Sequence, residues 1–363
     1  MTIRQDVQRI WSGPIFIVGP PRSGTELLRT ILNRHSSIHV SDETHYFDDL
    51  RPRLYRKGGS VGPEALAAAA DALRSRLDRP YGLTGDPERS GLPRETLMAM
   101  AGRIGPGPDA LFEAFCRHNA QHASRRIWGE KTPRHIFRID DILSAFPQAK
   151  IICMVRDARG VIASYRDWQN RWFDKSAISR DLLDDVLTEE RRTRQSYNLV
   201  ILGLLWRAGI NAALSAEKRH GTDRLRIQRY ESLLERPVHE VGDLCGWLSV
   251  GFEPGMLDVP MVNSSYTDFG RMQGITQAPA HRWREALSRR EVSVANVICG
   301  RLLQTMGYEA APVSGGTWNT IIETARLPAA GIRALRANRH RYSNPIDYVL
   351  RRALFTLVSR NGS

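Results

Sequence analysis

The sequence predicts an α/β protein, a central parallel β-sheet flanked by helices. Three observations carry this reading. Ile15-Phe16-Ile17-Val18 and Ala149–Val155 are short, continuous apolar runs, the pattern of strands buried on both faces. Each runs through a turn into residues at helical spacing: Leu27, Leu28, Ile31 and Leu32 after the first, and a helix to about Arg166 after the second. Shorter strand patterns at Ile38-His39-Val40, from Ile127 and over Arg224–Tyr230 also alternate with helical stretches.

The first strand–turn–helix, PIFIVGPPRSGTELLRTILN over 14–33, organises the rest. Its turn is Gly19-Pro20-Pro21-Arg22-Ser23-Gly24. This geometry gathers unpaired backbone N–H groups at a helix N-terminus, where they favour an anion. The two glycines let the backbone come close to that anion, and Arg22, Ser23 and Thr25 add a charge and two hydroxyls. The spacing Gly19-x4-Gly24 meets the P-loop pattern, but Thr25 stands where a nucleotide triphosphatase carries lysine. No residue of the loop then reaches a β/γ-phosphate and its magnesium. The loop is a phosphate cradle of another kind.

At 363 residues, with 42% hydrophobic and 25% charged residues, the chain is long enough for a substantial core and has ordinary soluble composition. It divides into an α/β domain over 1–323, carrying a mostly helical insertion at 52–126, and a basic tail over 324–363. Cys116, Cys153, Cys245 and Cys299 are far apart, without a CxxC pair, and read as buried thiols in a reducing compartment, not as a zinc site. No metal ligand set is expected. The N-terminus lacks an apolar stretch of signal-peptide length, and no segment offers about 18 uninterrupted apolar residues. A cytoplasmic location is the expectation. The net charge of +13 suits an anionic cofactor, substrate or surface, and no nucleic-acid motif accompanies it.

Further elements follow in order. Ser41–Phe47 form a loop at a strand's carboxyl end, where ligand chemistry sits in open α/β sheets, and Asp42 and Glu43 lie in it. Helices are expected over Glu64–Leu77, Arg94–Ile104 and from Ala110 to about Ser124, as a lid or wall beside the site. Lys131 ends another strand, and Pro133 bars helix before it, with a helix following from Arg134. Arg156 at a strand tip and Ser164 in the next helix can fold back onto one anion, the guanidinium giving a planar two-point grip. An ion pair of Arg156 with Asp157 is the alternative.

Residues 182–219 read as one long helix or two, with Asn198–Ala213 in the core, and Trp247 as a core aromatic. Residues 260–284, ending in His281-Arg282-Trp283-Arg284, read as an ordered loop over a ligand, with the arginines as anion contacts, or as a solvated basic turn. A helix spans Glu291–Met306, with Gly307 as its stop. The tail holds eight arginines and one aspartate. Within it Ser343-Asn344-Pro345 open a helix, and Ile346, Val349, Leu350, Ala353, Leu354, Leu357 and Val358 keep helical spacing. Such a stripe docks on its own domain or, through 344–358, on an anionic membrane.

GPPRSGTELL at 19–28, SDET at 41–44, EKTP at 130–133, Arg156 and Ser164 in VRDARGVIASY, RYESL at 229–233 and HRW at 281–283 stand in one order. Over about residues 14–310 the chain resembles the sulfotransferases that use 3′-phosphoadenosine-5′-phosphosulfate (PAPS), nearer the tyrosylprotein and bacterial branch than the cytosolic aryl type. The resemblance implies that Arg22, Ser23, Gly24, Thr25 and Glu26, the last through its backbone, hold the 5′-phosphosulfate. It implies that Arg156 and Ser164 hold the 3′-phosphate, that Tyr230 lies by the adenosine and that Arg282 reaches a phosphate. Glu43 matches the general base, and Lys131 a lysine that stabilises the transition state. His45 stands where that branch commonly has arginine, which weakens a tyrosyl-peptide acceptor. Arg22 and Lys131 would neutralise the sulfuryl oxygens without a metal. His45, His135 or His281 are alternative bases for a hydroxyl or amine acceptor. A P-loop kinase or nucleotide triphosphatase is the rival reading. The acceptor (glycan, lipid, metabolite or peptide) and the oligomeric state are not legible.

Overall fold

A computed structural model of the chain describes residues 13–55, 61–77, 86–167, 187–188, 191–259, 274–309 and 311–339. Five strands, β1 (Ile15–Val18), β2 (Ile38–Ser41), β3 (Ile127–Lys131), β4 (Lys150–Val155) and β5 (Leu225–Arg229), form one sheet in the order β2-β3-β1-β4-β5. Every pairing is parallel, so all five carboxyl ends share one edge. The expected α/β class with a central parallel sheet is the class observed. The registers Ile17 opposite Lys131 and Ser41 opposite Glu130 bring the first turn, the 41–47 loop and the end of β3 side by side.

Alternation along β1 explains its continuous apolar run. Phe16 and Val18 face one core cluster, Ile15 and Ile17 the other, and all four are fully buried. The second face is covered by α1 (Thr25–Asn33) through Leu28, Ile31 and Leu32. On the first face Phe16 is the hub of an aromatic cluster, with ring centroids of Phe47, Phe112, Trp128 and Phe146 at 5.8–6.2 Å.

Between β2 and β3 come α2 (Arg51–Tyr55), α3 (Pro63–Arg74), α4 (Arg94–Ile104) and α5 (Pro108–His122), so the described residues of this segment are mostly helical. Pro108 sits in the first turn of α5, where its missing N–H costs nothing. This segment is not a separate lid. Phe112 and Phe115 of α5 are buried in the main core, each worth about 1.5–3 kcal/mol of apolar burial. After β3, Pro133–Phe137 form a 3-10 turn before α6 (Ile139–Ala145). The helix expected from Arg134 therefore begins later, at Ile139.

Following β4, α7 (Ala158–Arg166) starts with the Asp157 carboxylate accepting the Arg159 N–H. α8 (Leu199–His220), capped by Asn198, is long and apolar enough to cross a membrane, but its Trp206, Ile210 and Ala213 lie in the core as the sequence predicts. Then come α9 (Tyr230–Glu235), α10 (Pro237–Trp247), α11 (Ala278–His281), α12 (Trp283–Ala286) and α13 (Arg289–Thr305). A Ser288–Glu291 capping box opens α13, and Gly307 follows it at φ 73°. Trp247 is a correction: it lies half-buried at the sheet's rim, donating to the Thr222 carbonyl at 2.9 Å beneath the Lys150 ammonium.

The four cysteines are buried free thiols. Burial pushes Cys245 up to about 11 and Cys299 up to about 12. α14 (Gly316–Ala325) runs across the boundary drawn at 323, and α15 (Leu327–Ala337) follows it. The stripe from Ile346 to Val358 lies outside the described residues, as does 260–273 of the proposed ligand loop.

Candidate active site

The loop from β1 to α1 is shaped by close backbone approaches. Gly19 donates its N–H to the Pro133 carbonyl at 3.0 Å, and a Cβ there would stand 2.3 Å from the Met154 carbonyl oxygen. Arg22 and Gly24 both adopt positive φ, 70° and 88°. A Cβ on Gly24 would meet the Tyr230 ring at 2.3 Å, so the tyrosine closes directly over the glycine. Helix α1 then starts at Thr25 without a side-chain cap, which leaves its first-turn N–H groups to the loop.

Two arms from the other side of the sheet reach this loop. Arg22 Nε donates to Ser164 Oγ of α7 at 3.0 Å. Arg156, at the tip of β4, donates from Nη1 to the Arg22 carbonyl at 3.3 Å and from Nη2 to the Pro279 carbonyl at 2.8 Å. Its guanidinium lies 4.6 Å from the Tyr230 ring centroid, and Trp206 Nε1 fixes its own carbonyl at 2.8 Å. The alternative pairing with Asp157 is absent, because that carboxylate holds Arg159 at 2.6 Å.

Two donors in this cluster are orphaned. Ser23 Oγ and Arg156 Nε are buried without a hydrogen-bond partner. A buried unpaired donor costs about 1–3 kcal/mol, a cost that an acceptor-rich group bound there would relieve. An anion with acceptor oxygens on more than one side, such as a nucleotide bearing phosphates at both ends, fits this donor set.

Beside the loop lies a second cluster. Lys131 Nζ stands 3.0 Å from Glu26 Oε2, 2.8 Å from Asp42 Oδ1 and 3.0 Å from Glu43 Oε1, and its side chain is only 4% exposed. Burial works against the ammonium, but Glu43, Glu26 and Asp42 overcome it and hold the pKa above its ordinary value. Partial burial of Glu43 is likewise outweighed by Lys131 and His45, and its carboxyl is held below the usual carboxylate range. His45 Nε2 lies 3.3 Å from the second Glu43 oxygen.

Beneath these groups Glu130 is fully buried. Its Oε1 accepts from Thr44 N–H at 2.9 Å, Thr44 O–H at 2.7 Å and Thr132 O–H at 2.5 Å. His135 Nδ1 stands 3.2 Å from its Oε2. Burial disfavours a charged His135 and Glu130 favours it, with the net direction upward. The Phe47 N–H at 3.3 Å needs a lone pair on Nε2, however, and decides for the neutral ring with its proton on Nδ1. Glu130 therefore ties together the residues next to Glu43 and Lys131.

The structure brings together Arg22, Ser23, Gly24, Arg156, Ser164 and Tyr230 on one side, and Glu26, Glu43 and Lys131 on the other. Thr25 is buried at the start of α1 between them. Arg282 lies between α11 and α12, one turn beyond the Pro279 that binds Arg156. Arg284 pairs with Glu309 at 2.8 Å instead of facing the loop. His135 is locked against Glu130, and His281 is exposed 3.9 Å from Glu235, so His45 alone of the three alternative bases adjoins Glu43. Sequence reasoning missed the roles of Glu130, His135 and the Glu26 and Asp42 side chains. Glu130 was visible inside EKTP, but only the fold shows that its donors come from two loops.

Residues 14–254 match the model of a family described as the sulfotransferase family. The chain is 24% identical over 310 residues to nodulation protein NoeE of Sinorhizobium fredii, covering 81% of this chain and 65% of NoeE, just under two thirds of that protein's length. It is 24% identical over 341 residues to carbohydrate sulfotransferase 1 of Danio rerio, covering 82% of this chain and 78% of the relative. Among solved structures, the sulfotransferase domain of a Synechococcus olefin synthase is 22% identical with a TM-score of 0.48, over 83% of this chain and 97% of that one. The family match extends over more than half of the chain and includes the loop, the Glu43–Lys131 cluster and the Arg156–Ser164 arm, so the chain belongs to the sulfotransferase family.

Proposed function

We propose that the protein transfers a sulfuryl group from PAPS to a hydroxyl or amine of an acceptor. The observation that carries this reading is the convergence of Arg22, Arg156 and Ser164 at the glycine loop, where Ser23 Oγ of the loop and Arg156 Nε beside it are buried without a partner. Ser23, Gly24, Thr25 and the Glu26 backbone with Arg22 would take the 5′ end, and Arg156 and Ser164, with Arg282, the 3′-phosphate. Tyr230 would pack by the adenosine. When bound, PAPS supplies a sulfuryl group activated by a phosphate leaving group.

The chain's residues do the remainder. Glu43 accepts the proton of the acceptor as that atom bonds to sulfur and the sulfur–oxygen bond to the phosphate breaks. Lys131 and Arg22 offset the charge that grows on the departing bridge oxygen, which calls on no metal ion. A base must lie within about 2.6–3.2 Å of the atom whose proton it takes, and Glu43 keeps part of its carboxylate exposed to an incoming acceptor. The name of the zebrafish relative favours a saccharide acceptor over a peptide, a preference in keeping with His45. A cytoplasmic location, with residues 344–358 touching an anionic membrane, belongs to the same proposal.

The phosphotransferase reading is disfavoured by Thr25 in the lysine position and by Arg156 at the tip of β4, where a magnesium-binding acid is required. Calorimetric titration decides between the two. Wild-type protein should bind the desulfated product, 3′,5′-adenosine bisphosphate (PAP), tightly and ATP-magnesium poorly; Arg156→Ala should lower PAP affinity by roughly 10–100-fold. Preference for ATP-magnesium would overturn the sulfotransfer reading.

A further inference from the structure

An ammonium has three N–H bonds, and Lys131 faces three carboxylates. It donates a hydrogen bond to Glu43 Oε1 and holds Asp42 and Glu26 as ion pairs, so a sulfuryl oxygen would compete with three carboxylates for one ammonium. The three are not equivalent. Asp42 is 68% exposed and backed by water, while Glu43 is held on its other oxygen by His45. Glu26 alone has a second strong cation. Arg29, one turn along α1, places Nε 3.1 and 3.0 Å from its two oxygens and Nη2 2.5 Å from Oε1. Glu26 can release Lys131 and stay paired.

Its position makes that release responsive to an anion. Glu26 lies in the first turn of α1, where a carboxylate enjoys the same helix-terminal field that the loop offers a phosphate. An anion in the loop and the Glu26 carboxylate thus compete for one field and for one ammonium.

We infer that Glu26 is a positioning residue that holds Lys131 against Glu43 in the donor-free protein and hands it over, retaining Arg29, when the donor's anion fills the loop. The inference rests on the PAPS reading. Its consequence is that Glu43 loses the neighbouring positive charge that keeps it a weak base only once the donor is seated.

The test is calorimetric titration of the full-length protein with PAP in a double-mutant cycle. Glu26→Gln should bind PAP about 3–10-fold tighter than wild type, since Lys131 is no longer contested. In a Lys131→Met background the gain should fall below about twofold, because the ammonium that Glu26 contests is gone. A gain that persists undiminished there would show simple through-space repulsion and overturn the inference, as would unchanged or weaker binding by Glu26→Gln. Should Lys131→Met fail to fold, Arg29→Gln replaces it. Without Arg29, Glu26 grips Lys131 harder, and PAP binding should weaken about 3-fold or more in the wild-type background but not in Glu26→Gln. Equal weakening in both backgrounds would overturn the handover. Wild-type protein that binds no PAP overturns the donor reading and this inference with it; normal wild-type binding with an unresponsive Glu26→Gln overturns the inference alone.

Discussion

Arg22 and Ser164 are separated by 142 positions and joined by one hydrogen bond, Nε to Oγ, at 3.0 Å. The bond ties the turn after β1 to the helix after β4, across neighbouring parallel strands. Arg22 pays for its place with a left-handed backbone, φ 70°, so the contact that aims its guanidinium opposes a local strain.

Ser164→Ala removes the acceptor for Arg22 and one hydroxyl of the proposed anion site together. PAP affinity should fall about 5–30-fold by calorimetry, in the range of one or two hydrogen bonds to charged groups. The melting temperature should move little, because alanine suits the interior of α7 and the site lies outside the apolar core.

Glu130→Gln is nearly isosteric and should still be costly. The neutral His135 presents Nδ1–H to Oε2 while its Nε2 accepts from Phe47, so an amide NH₂ would meet a donor and not an acceptor. Urea denaturation should show a loss of about 2–4 kcal/mol. A loss below about 0.5 kcal/mol would mean that the carboxylate does not organise the two loops.

His39, half-buried on β2, has its pKa pushed down to about 4 by burial and by Arg29, Arg125 and His122. The unfolded chain binds its proton near 6.5, the folded one only near 4, so stability from this group is intact above pH 6.5 and declines as pH falls toward 4. For a fully buried group the decline would be roughly 3 kcal/mol; solvent screening at this ring brings it to about 1–2 kcal/mol. Denaturant titrations at pH 7 and pH 4 should show the difference shrink by that amount in His39→Gln. An unchanged difference would place the titration elsewhere.

Local signals carried much of this. The apolar run Ile15–Val18, the glycine turn and the spacing of Leu28, Ile31 and Leu32 are contiguous, so one stretch of chain states both the strand–helix unit and the cradle between its parts. Arg156 and Ser164 were legible for the same reason, lying on one strand–turn–helix. The helix over 108–122 was legible as a helix but not as core, because its partner Phe16 is distant in sequence.

By itself, then, the sequence determined the parallel α/β class, the glycine loop between β1 and α1 and the residue types proposed to serve sulfuryl transfer, since each follows from spacing within a short segment. Only the tertiary structure decided their electrostatic state. Whether Lys131 is a free surface charge or a buried ammonium shared by Glu26, Asp42 and Glu43 depends on β1, β2 and β3 lying side by side in register. Charges act through space at a few ångströms, and sequence separation carries no information about that distance.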